Sequence, residues 1–546
     1  MNSGQLREFV EACRLAPDDM TQSRALDHAS HQTLKTPGAA GELIDLLGTN
    51  DGETALLVLQ VTLDMARMAQ ENGRPEGGRF LADTEAELAA RAAAGSLGTR
   101  ERFAIGSAYV QAGLPPSEHL MMDMDILSDF HDRRTEMPDP DALLDSLHEE
   151  VGGEPMALYM ALSEMMATLP KPLRAMMAGQ IAQRPEDTFA RVGAYWLLDA
   201  DPAKRLAAAE GFGQRLAAGG MDAATITRLV GMRSWLPADA ARDAVDRLIR
   251  DAMRHDIVGG AAPRSWKHHR ILASIPDGAG AQSLAVVARA GGRRGIAMLL
   301  LKQGYGVRDA YLIPCSGASE QKRFVARIGA EVALHDVTED FFRSALATAL
   351  GEGGEAGQPP APGLIDLVEP CGLQDLRPEP RSLRDMLDII DPEGEIAGLA
   401  PQRLGRLVGR SADWPGRFAM LDSWFEASGE MQEMLAAAPT PAAQERAVWR
   451  HLEGRRGWWA RMFMRTAETL HAAQEPSWRE FAATAHALDT GRAVKNTPIM
   501  GFIADRSLEA HDAQAGPPAW DWASEPALEP VDVPDSVAPE KKNELA

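Results

Sequence analysis

Cys315 lies in the string Ile-Pro-Cys-Ser-Gly-Ala-Ser, after a stretch that reads as extended and before one that reads as helical. A thiol at a helix N-terminus ionises more readily, because the helix dipole favours thiolate. His335 and Asp336 follow about 20 residues on and are the residue types that supply a base and its orienter. Together they would make a site for nucleophilic catalysis. Such a site needs all three to meet in space. The plainer alternative is a small buried cysteine and a loop histidine.

Three other groupings could carry chemistry. His28 and His31, at i and i+3, would share a helix face and could hold a metal. Asp125, Asp129 and Asp132, beside Asp123 and His131, would present oxygen ligands to a divalent cation. No third ligand stands near the histidines, and the aspartates run into Arg133 and Arg134. Solvated helix faces account for both, and no metal or cofactor is expected. Gly278-Ala279-Gly280 and Gly304-Tyr305-Gly306, with Lys302 and Arg308 close by, resemble turns whose backbone N–H groups cradle an anion. Neither completes a nucleotide-binding fingerprint, and turn glycines explain both.

Charge is the strongest signal. Between residues 261 and 330 there are eleven Lys/Arg and three acids, 11 − 3 = +8, in a chain of net charge −23. Everything else therefore sums to −31. Within this island Arg264, Lys267, Arg270, Arg293, Arg294, Lys302 and Arg308 are the candidate binding residues. Charge sign bears on partners rather than on fold. The acidic remainder opposes a polyphosphate partner.

The elements that must position these residues are mostly helices. Apolar residues make up 45% of the 546 residues, aromatics only 5%, and strong helix formers abound. Prolines and glycines fall where helices start and stop. They delimit helices over 155–169, 173–183, 187–198, 203–218, 221–232 and 237–255. The starts recur about every 16 to 18 residues, the mark of stacked helical hairpins. In length and joint chemistry these helices loosely resemble HEAT-like repeats. No residue-level consensus matches, so the resemblance implies no function. A helical bundle is the alternative.

Near residue 260 the pattern changes. Strands are expected at 269–274 and 283–289, joined by a turn at 277–280, with a second turn at Gly291-Gly292. A helix is expected at 296–303, an extended piece at 309–314 and a helix at 319–328, while 332–337 is ambiguous. The segment 351–363, rich in Gly and Pro, reads as a linker. Helices resume at 382–390, 401–408 and 417–427, and again from Thr440-Pro441, a cap followed by proline at the first helical position. Trp449, Leu452, Trp459, Phe463 and Leu470 then form one apolar stripe, with a break possible at Gly454 and Gly457. Trp414, Trp424, Trp458 and Trp478 lie in the same region among arginines. They could stack nucleic-acid bases, but a core stripe with snorkelling arginines is the preferred reading.

The fold class is therefore mainly α: stacked helical hairpins, solenoid-like or bundled, with a small α+β insert and a second helical region. The divisions are a helical-hairpin domain at 1–258, the insert at 259–348, a linker at 349–363, a C-terminal helical domain at 364–511 and a disordered acidic tail at 512–546, where Trp520 and Trp522 could dock. Cys13, Cys315 and Cys371 stand far apart and odd in number, which fits a reducing compartment. No signal sequence or membrane span is visible, so a soluble cytoplasmic protein is expected. The expected function is a non-enzymatic scaffold or adaptor that binds a partner protein, or itself, through the basic patch. The alternatives are an enzyme with its site at Cys315 and His335, and a binder of nucleic acid or a phosphate-bearing ligand.

Overall fold

A computed structural model of the chain describes residues 3–16, 18–122, 140–257 and 266–515. Among the described residues, 23 α-helices surround one five-stranded antiparallel sheet, so the mainly α class with a small α+β insert is what the chain adopts. No helix among them is long and apolar enough to cross a membrane.

Local chemistry sets the helix boundaries. Asp222 and Asp239 cap Ala223–Met232 and Ala240–Arg254 by accepting first-turn N–H groups. Thr440 caps Pro441–Gly454 through the N–H of Ala443. Ser382 and Asp385 form a reciprocal capping box at the start of Leu383–Ile390. The stripe helix does break at Arg455, and Arg456–Ala472 continues it.

The helices bury three main cores. The first runs from Leu6 to Leu120. The second joins the helices from Pro155–Met165 to Ala240–Arg254 with one face of the sheet and with Phe342 and Leu346 of Glu339–Glu355. The third runs from Met386 to Ala504 and takes in Ile275. The stretch 1–258 is thus shared between two cores.

The strands are β1 (Lys267–Ala273), β2 (Ala281–Ala290), β3 (Arg293–Lys302), β4 (Gly306–Cys315) and β5 (His335–Asp336), in the order β4-β3-β2-β1-β5. The helix Ala318–Glu331 covers the second face, over Leu272, Ala285, Ile296 and Cys315. The turn 277–280 forms as expected. The Asp277 carboxylate accepts the N–H groups of Ala279 and Ala281, and Gly280 takes a positive φ of 76°.

Four expectations fail. The 296–303 helix is instead β3, a central strand paired on both sides. A short apolar run looks alike in either state, and here glycine turns at both ends make it a hairpin strand. The 351–363 linker is helical as far as Glu355. Its glycines serve close packing: a Cβ on Gly351 would lie 2.3 Å from the Pro380 nitrogen. The 417–427 helix is only a 3-10 turn, Ala419–Ser423. Beyond it, the Trp424 indole donates to the Pro276 carbonyl and the Glu426 N–H to Ser507 Oγ, so tertiary partners replace a helical ladder. Finally, Pro498–Ala515 carries helix past residue 512. The rest of the tail, with Trp520 and Trp522, lies outside the described residues.

Candidate interaction surface

The sheet keeps Cys315 and His335 apart. Cys315 ends β4 at one edge, and His335 lies in β5 at the other. Four strand spacings of about 4.8 Å put about 19 Å between those edges. Burial and the nearby Glu320 raise the Cys315 thiol pKa, the reverse of activation. Asp336 is bound to Arg270 at 2.6 Å, and burial lowers the His335 imidazole. No nucleophile–base pair forms from these residues.

The glycine turns hold no anion cradle either. The Gly278 N–H donates to Ser423 Oγ, the Gly280 N–H to the Asp277 carbonyl, and the Gly304 N–H to Glu352. His28 packs edge-on against Phe9, and His31 bonds the Asp27 carbonyl. No group of three metal-ligating side chains occurs among the described residues. Asp123, Asp125, Asp129, His131 and Asp132 lie outside them. Cys13, Cys315 and Cys371 are buried.

Trp414 and Trp459 are structural. The Trp459 indole donates to buried Glu426 and the Trp414 indole to buried Glu480, while Trp414 stacks on Phe481 at 3.6 Å. Trp449 and Trp458 are only partly buried. Trp458 carries Arg455 over its ring.

The basic island divides. Lys302 is buried, and its ammonium donates to the Glu71 carbonyl and to Asn72 Oδ1. Arg308 pairs with the Glu71 carboxylate at 2.7 Å. Both are spent holding the first core to the sheet. Arg270 is taken by Asp336, and Arg293 lies over Trp266 with Glu369 4.0 Å away. Arg264 lies outside the described residues.

Lys267 and Arg294 remain, and the register adds Arg289. Lys267 opposes Arg289 across β1 and β2, and Arg289 opposes Arg294 across β2 and β3. Directly opposite residues share a face, with Cβ atoms about 5 Å apart. The three cations therefore form a row across three strands, and no ion pair engages any of them among the described residues. Lys267, His269 and Arg289 are exposed. Desolvation, then Arg289, Arg294 and Lys267, depress the His269 pKa, so the row acts on that imidazole as well. Gln321 fixes the covering helix beside the row by donating to the Ala288 and Gly295 carbonyls. Sequence reading named Arg289 and His269 in neither role. Arg289 was legible in advance only as one of the eleven island cations and as the last residue of an expected strand.

Comparison with known proteins places most of the chain. Family models match residues 3–117 ("Uncharacterised protein y4lR N-terminal domain"), 170–256 ("Y4lR second domain") and 384–512 ("Y4lR C-terminal helical domain"). A relative described as "Uncharacterized protein y4lR", from Sinorhizobium fredii (strain NBRC 101917 / NGR234), is 32% identical over 492 residues, 89% of this chain and 94% of the relative. The chain belongs to the y4lR family. The three y4lR segments fall on the three helical cores, and the sheet with its cationic row lies between the second and third. The resemblance to HEAT-like repeats finds no counterpart among these y4lR matches. No solved structure matches the chain.

Proposed function

We propose that this protein is a non-enzymatic helical adaptor that docks an acidic surface of a partner protein on the Lys267–Arg289–Arg294 row. One observation carries the reading: Arg289 has a cation directly opposite it on both neighbouring strands, and no carboxylate pairs with the three among the described residues. Like charges so placed destabilise a sheet, and a partner's anions would reverse that cost. Elsewhere in the island Lys302, Arg308 and Arg270 are matched by acids of the same chain. A protein partner suits the row better than nucleic acid, because the −23 chain repels an extended polyphosphate.

The test is fluorescence anisotropy with a labelled glutamate-rich peptide and with a labelled DNA duplex. Wild type should bind the peptide at low salt and lose it as salt rises, since screening shortens to about 8 Å at physiological ionic strength. A Lys267→Glu/Arg289→Glu/Arg294→Glu variant should lose binding tenfold or more. Equal binding by variant and wild type, or preference for the duplex, refutes the reading.

A further inference from the structure

A cleft of about 800 Å³ opens between the first core, the second core and the start of β4. That is the size of a small-ligand site, and cleft sites cluster where structural units meet. Prolines build its walls at Pro115-Pro116 and Pro359-Pro360, and Tyr159 and Tyr305 supply aromatic surface. Proline fixes φ, so these walls need little ordering when a ligand arrives.

The charges lining the cleft are almost all matched. Lys171 pairs with Glu118 at 2.6 Å, Lys204 with Asp199 at 2.8 Å and Arg308 with Glu71 at 2.7 Å. Two groups are not. Arg174 has its Nε buried with no hydrogen-bond partner, and no ion pair engages it among the described residues. Its field reaches Glu118, whose own salt-bridge partner is Lys171. Glu85, which also lines the cleft, is held by two hydroxyls, Tyr109 at 2.9 Å and Ser117 at 2.6 Å, and by no cation among the described residues. A partly buried charge without a counter-charge is costly. One guanidinium and one carboxylate, each lacking its opposite, are together complementary to a zwitterion.

We propose that this cleft binds a short peptide with both ends free, its carboxylate on Arg174 and its ammonium on Glu85. The site is separate from the cationic row and does not depend on the adaptor reading. A lone anion such as phosphate would satisfy Arg174 and leave Glu85 unmatched.

The test is equilibrium dialysis of the full chain against a pool of random tripeptides, read by mass spectrometry. Parallel pools carry N-acetylated or C-amidated ends, and inorganic phosphate serves as competitor. Free-ended peptides should be retained, and blocking either end should reduce retention tenfold or more. Arg174→Gln should abolish the penalty for amidation and Glu85→Gln the penalty for acetylation. Both variants are checked for wild-type melting, and the triple row variant should retain peptides as wild type does. Retention of no pool, equal retention of all pools, or displacement by phosphate overturns the proposal.

Discussion

Arg308 and Glu71 stand 237 residues apart and meet as a two-point ion pair, Nε to Oε2 at 3.1 Å and Nη2 to Oε1 at 2.7 Å. Arg67 reaches the same carboxylate at 2.9 Å, and the Lys302 ammonium lies 3.8 Å from it. Burial alone would raise the Glu71 pKa, but the hydrogen bonds and charges of Arg308 and Arg67 outweigh burial and hold it below the usual value. One carboxylate thus anchors the first core to the sheet.

Removing that anchor leaves three cations facing one another. Glu71→Ala should cost about 3 kcal/mol, the lower end for breaking a buried pair, since both partners keep some exposure. Urea unfolding followed by tryptophan fluorescence measures it. A loss within about 0.5 kcal/mol, ordinary for a surface site, would show that the anchor is not structural.

Gly278 is required by close approach rather than by backbone conformation. Its turn neighbour Gly280 takes the positive φ, whereas a Cβ on Gly278 would lie 1.7 Å from the Ser423 carbonyl oxygen. Even Gly278→Ala should therefore destabilise by about 1–3 kcal/mol, the range for overpacking. A melting curve that matches wild type would contradict the docking of this turn on the third core.

Trp459 and Trp449 lie on one stripe with different fates. Trp459 is fully buried and its indole is bonded to Glu426, while Trp449 is only partly buried. Trp459→Ala should cost about 3–5 kcal/mol, and Trp449→Ala clearly less. Chemical denaturation of the two variants side by side decides it, and equal losses would refute the difference in packing.

Stability should also respond to pH through Glu468. Burial, reinforced by Glu352 and opposed by Arg465, Arg381 and Arg461, raises its carboxyl from an ordinary 4.5 to about 7. Between those values the folded chain holds a proton that the unfolded chain has released. The proton's stabilising effect is therefore complete below the unfolded value and lost as pH rises through the folded one. The melting temperature should fall from about pH 5 to about pH 8, and Glu468→Gln should remove this component. An identical pH profile for the variant would assign the fall to other groups.

Local chemistry made much of the fold legible. Asp222, Asp239 and Thr440 cap where a cap residue precedes an apolar run, and Asp277–Gly280 turns where an Asx-type bond and a glycine allow it. Such signals act over two to four residues, so the order of residues alone encodes them. The same range explains the misreading of β3: Ile296 to Leu301 is apolar in either state, and only pairing with β2 and β4 makes it a strand.

The order of residues was enough for the helical class, the positions of the helices through the second core to within a few residues, the turn at Asp277 and the excess of positive charge near the sheet. Tertiary structure alone decided what each of those charges does. Lys302 and Arg308 meet Glu71 across more than two hundred residues, while Lys267, Arg289 and Arg294 are aligned by strand register with no acid opposite. A charge count is a sum over residue types and survives any fold. Pairing depends on distance, and distance between remote residues is set only when the cores close around the sheet.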